Sequence, residues 1–576
     1  MVCMPRTPEN TGPLLPCAPM TKVSLTGREW RFEERDAEDP GILLSRLAGL
    51  RSIDLGASAP LPFESTDHQP PDLARAIERL KLAFSRDERI AVFGDYDCDG
   101  ITAAALMARF LARHGTHPLI RLPHRLHDGY GLKEENVRHL KDEGISLLIT
   151  VDTGVSAGPA LHLAKECGMD VIVIDHHHLP QRLPDTIAIL HPLLAGYDQS
   201  PPSAAGLAYG VIAAYEREEG RDDWEGKSGD LALAATGTVA DLVELRGTNR
   251  SLVTQGLAAF GCLSPDEPIG KLARQAGITG VPTSSDIAYR IAPRLNAAGR
   301  MADPSIALRA ILDGDDALAT LEQLNRDRQS ETLRLLKDLD QSPLDLSLPL
   351  LLLADEKYPA GIVGLIAGRL TEAHGRPSFV AQIQGDVCTA SLRSIPGYHI
   401  TEALRHASDL LLSFGGHAMA AGCTFRTELL PQLTDRLLAH ASERLNAAEL
   451  RPILEIDAAL DTTGVTLALC ETLSKLEPFG QGNREPRFIL SNVMISNMRR
   501  VGKDGVHLQA RVGGLKGIGF RLGTLLPQIN DAVDVACRLS IDAWEGKSQP
   551  QLLIEDVRAA EDAPIPTASK HFSLAG

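Results

Sequence analysis

The chain has 576 residues, 44% of them hydrophobic, and its 58 Lys and Arg against 75 Asp and Glu give a formal net charge of −17. That length suits about three or four domains, and the acidic balance excludes a bulk nucleic-acid binder, so a nucleic-acid partner would need a local basic face and metals would offset part of the acidic field. No apolar run is long enough to span a bilayer, the proline-broken N-terminus does not read as a signal peptide, and nine scattered cysteines with no Cys-x-x-Cys pair exclude a disulfide framework and a structural zinc site and suit a reducing cytoplasm.

Residues 1–40 are expected to be a flexible tail. Leu73, Ile77, Leu80 and Leu82 recur at near-helical spacing and predict a helix over 72–85. Strands over 90–93, 147–151 and 171–174 then alternate with helices over 102–114 and 159–167. Short apolar strands separated by helices predict a parallel sheet covered on both faces, with its ligand-binding edge at the carboxyl ends of the strands. Residues 246–340 read as mostly helical and end in a long charged helix over 317–339. A second α/β unit opens at 350–353 and runs to about residue 450. Five short strands with glycine turns follow, over 488–494, 506–512, 517–520, 533–541 and 551–557, and fit a small β-barrel of the OB type. The expected domains are therefore 1–40, 41–316, a connecting helix 317–345, 346–450, 451–560, and a C-terminal tail 561–576.

Asp95, Asp97 and Asp99 crowd the end of the first strand. Like charges so placed raise one another's pKa unless a cation sits among them, and alternate residues of an extended segment point the same way. An acidic turn would explain this cluster alone. The next strands, however, end in Asp152 and in Asp175-His176-His177, and Gly237-Thr238-Val239-Ala240-Asp241 follows the apolar 231–235 as a fourth such ending. Four carboxylate or imidazole clusters on one edge predict a metal site. Oxygen ligands suit Mg²⁺ and Mn²⁺, and imidazole shifts the preference toward Mn²⁺. Two such ions bridged by a carboxylate, here Asp152, form the usual device for phosphoryl hydrolysis.

These residues resemble the four motifs of the DHH phosphoesterase superfamily: Asp95 to Gly100, Val151 to Gly154, Asp175-His176-His177 and Thr238 to Asp241. Pro293-Arg294-Leu295-Asn296-Ala297-Ala298-Gly299-Arg300-Met301 is similar to the signature that follows this domain in the RecJ family. Ser391-Leu392-Arg393-Ser394-Ile395-Pro396-Gly397-Tyr398-His399 and Phe414-Gly415-Gly416-His417 to Gly422 resemble the family's DHHA1 domain. Glu477-Pro478-Phe479-Gly480-Gln481-Gly482-Asn483 resembles the opening of its barrel. The likeness covers roughly residues 70 to 558. It implies a parallel-sheet DHH domain and a second α/β DHHA1 domain joined by a long helix, then an OB-like barrel, in a 5′→3′ exonuclease on single-stranded DNA.

By position, the resemblance makes Asp95, Asp97, Asp99, Asp152, His176 and Asp241 the metal set, with two of the three first-motif aspartates binding directly. Asp175 would orient the neighbouring histidine from behind, His177 would contact the scissile phosphate, and the extra His178 would be a surface residue. Arg300, Ser391, Arg393, Gly415, Gly416 and His417 would hold substrate phosphate, the 5′ end lying in the DHHA1 domain. Read alone, Gly415-Gly416 is a tight turn and Arg294 and Arg300 are buried ion-pair partners or phosphate ligands. From Arg484 to Arg558 there are 11 Lys and Arg against 8 Asp and Glu, and Arg499, Arg500, Lys503, Arg511, Lys516 and Arg521 gather at one hairpin, suiting a single-strand groove with Phe520 and Trp544 as stacking platforms.

Phe93, Pro359 and Leu392 depart from the family's pattern; Phe93 stands where some members carry a histidine, and Leu392 is expected to narrow the 5′ pocket. A single-strand-binding protein and a helicase are the partners implied, in repair and recombination, with a monomer and the cytoplasm expected and no membrane. The rival activity is phosphodiester cleavage of short oligonucleotides or cyclic dinucleotides; a metal-free scaffold of the same fold is the other alternative.

Overall fold

Strands of uninterrupted apolar sequence need cover on both faces, and the first sheet has it. In the computed structural model, which describes residues 23–32, 39–56, 58–125, 127–340, 344–529, 532–544 and 547–560, five parallel strands run in the order Leu119–Arg121, Ile90–Phe93, Leu147–Val151, Asp170–Ile174, Ala188–Leu190. Alternate residues feed two cores. Ile90, Val92, Leu147 and Ile149 pack with the helices Cys98–Arg113 and Ala204–Glu218, while Ala91, Phe93, Leu148 and Val171 pack with Val137, Leu140 and Leu161. The expected strands at 90–93 and 147–151 are there. The helix that follows Ile90–Phe93 begins at Cys98, inside the acidic motif, rather than at 102.

Residues 231–241 do not end a strand. They lie in the helix Lys227–Ala240, with Asp241 as its C-cap. The run is Ala-rich and buried on all sides by neighbouring helices, and such a helix reads in sequence like a buried strand. The helices Gly247–Ala259, Pro268–Gln275, Ala292–Met301 and Ser305–Leu312 follow, and Asp315–Asp340 is the long helix expected over 317–339.

The second sheet has the order Leu411–Gly416, Ala420–Arg426, Val387–Arg393, Ser378–Gln384, Leu351–Asp355, and only the last pair is parallel. The helix Ala360–His374 packs on it and also meets Ala292–Met301. There Gly361 lets two backbones touch: a Cβ on it would lie 2.1 Å from the carbonyl oxygen of Arg300.

The chain divides into two units, one of residues 38–450 with 471–485, the other of residues 1–37, 451–470 and 486–576. The second holds a seven-stranded sheet in the order Ala458–Ala459, Phe488–Val493, Val533–Trp544, Lys547–Ala559, Leu515–Gly519, His507–Val512, Ile495–Val501. Ile495–Val501 was not expected as a strand, because its Ser-Asn-Met-Arg-Arg core carries no apolar alternation. Residues 1–22 and the tail 561–576 lie outside the described residues. Part of the expected N-terminal tail is ordered: Glu29–Phe32 pairs in parallel with Ile453–Ile456. Trp30, 0% exposed and donating to Asp556 Oδ2 at 2.9 Å, supplies the burial that anchors so short a strand. The segment Glu477 to Asn483 groups with the larger unit by its contacts. Among the described residues no helix is long and apolar enough to cross a membrane.

Candidate metal centre

The acidic motif is a strand-to-helix turn rather than an extended row. Asp97 caps the helix, its Oδ1 accepting from the N–H groups of Asp99 (3.0 Å) and Gly100 (3.1 Å). Asp99 therefore sits in the first helical turn and Asp95 before it. The two oxygens of Asp99 accept from the N–H groups of Ala204 (2.7 Å) and Ala205 (3.0 Å), at the N-terminus of the helix that Ser203 caps.

Asp152 follows its strand in the left-handed region, φ 59°, a conformation that aspartate tolerates. Its Oδ1 lies 3.1 Å from His176 Nε2, which is 4.0 Å from Asp99 Oδ2, while His176 Nδ1 is 3.7 Å from Asp241 Oδ2. Three ligand groups result: Asp95, Asp97 and Asp152; Asp99, His176 and Asp241; Asp152, His176 and His177. All six expected ligands converge, and Asp152 and His176 each serve two groups.

The residues fit hard divalent ions. Asp95 Oδ1 is buried with no hydrogen-bond partner among the described residues, which costs about 1–3 kcal/mol unless a cation satisfies it. Burial first and Asp97 second push the Asp95 carboxyl up to about 8 and that of Asp99 to about 7. Burial, with Asp97 and Asp99 beside them, drives Asp152 and Asp241 well above the carboxylate range. Burial and then His177 lower His176 to about 4, so its imidazole is neutral and free to ligate.

Asp175 supports the other histidine. Its Oδ1 accepts from His177 Nδ1 (2.8 Å) and from the N–H groups of His176 and His177, and its Oδ2 from Val155 N–H (2.9 Å). Burial opposes the charge of Asp175, yet these bonds hold its carboxyl below the usual range. Tyr130 also reaches this point, its hydroxyl 3.1 Å from His177 Nδ1 and donating to the Asp152 carbonyl at 3.1 Å. Sequence reasoning missed it, although an aromatic flanked by two glycines was a visible signal.

A guanidinium cluster stands on the same unit. Arg300 Nη1 donates to Gly361 O (3.2 Å), and a Cβ on Gly364 would lie 3.2 Å from Arg393 Nη2 and 3.3 Å from Ser391 Oγ. Burial, then Arg125, Arg328 and Arg393, lowers Arg300 to about 9; burial and Arg125 lower Arg393. Crowded cations of this kind gain from an anion. Arg294 is separate: it pairs with Glu322 at 2.7 Å. Gly416 has φ 136° and a Cβ on it would lie 2.4 Å from Ala420 O, so the hairpin needs glycine there; Gly415 has open space. The exposed His417 ring stands 5.3 Å from the ring of His178, beside His177.

In the sheet unit, Arg499 Nε donates to Gln509 Oε1 (2.6 Å), Arg500 Nε to Gly523 O (2.9 Å) and Arg511 Nη1 to Gly514 O (2.8 Å), and Lys516 pairs with Asp542. Phe520 is 60% exposed. The side chain of Trp544 lies outside the described residues.

Known proteins share this plan. Residues 89–238 match the DHH family N-terminal domain, 347–447 the DHHA1 domain and 456–556 the RecJ OB domain. The chain is 32% identical over 544 residues to the single-stranded-DNA-specific exonuclease RecJ of Bacillus subtilis, covering 90% of this chain and 68% of that one. The chain belongs to the RecJ family. It is also 35% identical to the RecJ of Thermus thermophilus over 89% of this chain and 77% of that one. The crystal structure of the Thermus thermophilus RecJ with Mn²⁺ superposes with a TM-score of 0.78 at 30% identity, over 92% of this chain and 80% of that one; its Mg²⁺ complex gives 0.72.

The departures from the RecJ pattern fall in cores. Phe93 is 1% exposed, packed with Leu132 and Leu140. Leu392, expected to narrow the 5′ pocket, is buried with Phe379 and Tyr398 while Ser391 and Arg393 face the other way. Pro359 is the N-cap residue of the helix Ala360–His374, and Tyr358 packs with Leu335 and Val363.

Proposed function

We propose that this chain degrades single-stranded DNA from its 5′ end as a metal-dependent exonuclease in repair and recombination. The observation that carries the reading is the sharing of Asp152 and His176 among three ligand groups, beside an unsatisfied buried oxygen of Asp95. Asp95, Asp97, Asp99, Asp152, His176 and Asp241 would hold two Mn²⁺ or Mg²⁺ ions, which when bound supply an activated water and stabilise charge on the phosphate.

The chain's own residues do the rest. His177 gives its Nδ1–H to Asp175 beside Tyr130; burial opposes its charge, yet the bond to Asp175 raises its pKa, and in the imidazolium form Nε2–H would donate to a phosphate oxygen. Arg393 and Arg300 offer guanidinium donors to the terminal phosphate, with Ser391, His417 and the N–H groups of Gly415 and Gly416 around it. A terminus fits such an end pocket and an internal nucleotide does not, which supports exonucleolytic polarity. The domains proposed are DHH (41–316), connecting helix (317–345), DHHA1 (346–450) and OB-like (451–560). A monomer in the cytoplasm, working with a single-strand-binding protein and a helicase, completes the proposal on family membership.

Purified protein with Mn²⁺ is given 5′-labelled single strands, duplex, short oligonucleotides and cyclic dinucleotides. Mononucleotide release confined to substrates with a free single-stranded 5′ end is expected. Preference for dinucleotides would overturn the reading, and no hydrolysis would favour a scaffold.

A further inference from the structure

Six helices of the larger unit end in the same way. One residue past the C-cap stands a glycine on left-handed backbone: Gly115, Gly144, Gly168, Gly220, Gly277 and Gly314, with φ between 73° and 79°. A residue with a Cβ is strained at that position. The helix Lys227–Ala240, which presents Asp241 as its C-cap, turns in the same manner. The next N–H reaches back to Val239 O (3.4 Å), as Gly144 reaches Lys141 O (2.8 Å). Its left-handed residue, however, is Leu242, φ 61°. Among the described residues, Phe63 and Leu242 are the large hydrophobic side chains on such backbone. Phe63 is 0% exposed, so packing offsets its strain, whereas Leu242 is 68% exposed and its own packing recovers little. Backbone strain that persists without burial points to a contact made in function.

The Cα of Leu242 is one step, about 3.8 Å, from that of Asp241, whose Oδ2 lies 3.7 Å from His176 Nδ1 in the ligand group Asp99, His176 and Asp241. An isobutyl group offers a phosphate neither charge nor hydrogen bond. What it can cover on a nucleotide is an apolar face. We propose that Leu242 is a substrate-contact residue, its side chain packing against the face of a nucleobase of the single strand at the Asp241 end of the metal centre. The proposal rests on the exonuclease reading. Every base has such a face, so the contact holds the strand without reading its sequence. The apolar area covered on binding supplies the affinity, and the left-handed backbone is tolerated for it.

The test compares the full chain with Leu242→Gly, Leu242→Asn and Leu242→Met. The control is Asp87→Gly, which relieves left-handed backbone (φ 51°) past the C-cap of the helix Leu73–Ser85, ahead of the strand Ile90–Phe93 and so at the opposite edge of the sheet. Measured are the urea midpoint of the metal-free protein, Mn²⁺ affinity by calorimetry, and kcat and KM on 5′-labelled strands, intact or carrying one abasic site stepped along the 5′-terminal nucleotides. Leu242→Gly and Leu242→Asn are expected to raise the urea midpoint and to raise KM about fivefold, with kcat within about twofold of the parent and Mn²⁺ affinity unchanged. Leu242→Met should keep the parent's KM, and Asp87→Gly should raise the midpoint alone. An abasic site at the contacted nucleotide should raise the parent's KM by the same factor and erase its difference from Leu242→Gly. A Leu242→Gly KM within about twofold of the parent's, a difference that persists at every abasic position, or weaker Mn²⁺ binding each overturns the contact. If the parent chain releases no nucleotide, the exonuclease reading falls and takes the contact with it. A urea midpoint that Leu242→Gly leaves unchanged overturns the strain argument without recourse to DNA.

Discussion

Asp175 gives a direct test of how His177, the histidine proposed to meet phosphate, is held. The residue is 1% exposed and accepts four hydrogen bonds, three from backbone N–H groups and one from His177 Nδ1. Asp175→Asn keeps one acceptor oxygen for His176 and His177 and turns an amide NH₂ toward the N–H of Val155. One buried donor then lacks an acceptor, at about 1–3 kcal/mol. Asp175→Ala strands all four donors, a loss on the order of 5 kcal/mol or more, comparable to the stability of a whole domain. Asparagine is therefore the informative change. The His177 ring loses its anionic partner and keeps a neutral oxygen and Tyr130, and a displacement of about 1 Å at a reacting group costs roughly 100-fold. The assay is Mn²⁺-dependent release of mononucleotides from 5′-labelled strands, with kcat and KM separated and urea unfolding alongside. A kcat roughly 100-fold lower with KM nearly unchanged is expected. An Asn variant with kcat within about twofold of the parent would refute the claim that Asp175 positions His177.

Three other outcomes are expected. Asp152→Asn, which suits the left-handed backbone at φ 59° where Ala would add strain, should lower hydrolysis by at least about 1,000-fold while single-strand retention survives; near-normal turnover would remove Asp152 from the metal set. Asp95 and Asp99, raised from 3.8 to about 8 and about 7, keep protons in the metal-free fold that the unfolded chain has already released. Their contribution to stability is therefore lost as pH rises through that interval, and Mn²⁺ should stabilise more at its upper end and release protons on binding. Thermal melts with Mn²⁺ and with chelator across the interval check this, and a Mn²⁺ shift independent of pH would sink it. Gly416→Ala should weaken binding of 5′-phosphorylated ends while Gly415→Ala leaves it intact, because only the first places a methyl 2.4 Å from Ala420 O; equal binding by the two variants in a competition assay would dismiss the hairpin.

The candidate metal ligands were legible because each cluster follows an apolar run, a pattern that survives without knowing the fold. Their geometry was not. Asp97 reads as one of a row, but its carboxylate caps a helix, and the local competition between an extended row and a capped turn is decided by Gly100 and Asp99 N–H. Asp241 lies with the other candidate ligands but caps a helix rather than ending a strand, since Ala-rich buried helices lack polar punctuation. The flanking glycines marked Tyr130, but its partner His177 stands 47 residues away, and no local pattern carries that pairing. Leu392 shows the reverse: a one-residue alternation along Val387–Arg393 already implied that it faces away from Ser391 and Arg393.

The contact at Gly361 has a consequence for what the site can become. The helix bearing Arg300 and the helix that covers the second sheet approach closely at Gly361, where the Arg300 carbonyl stands in the place of a Cβ. The spacing of the two helices is set at this point by peptide groups, which have no rotamers to adjust. A methyl at residue 361 would force the two helices apart by at least about 1 Å, and Arg300 would travel with its helix. That spacing is held at residue 361, outside the residues proposed to hold phosphate, so a change in the end chemistry accepted could arise there without altering any of them.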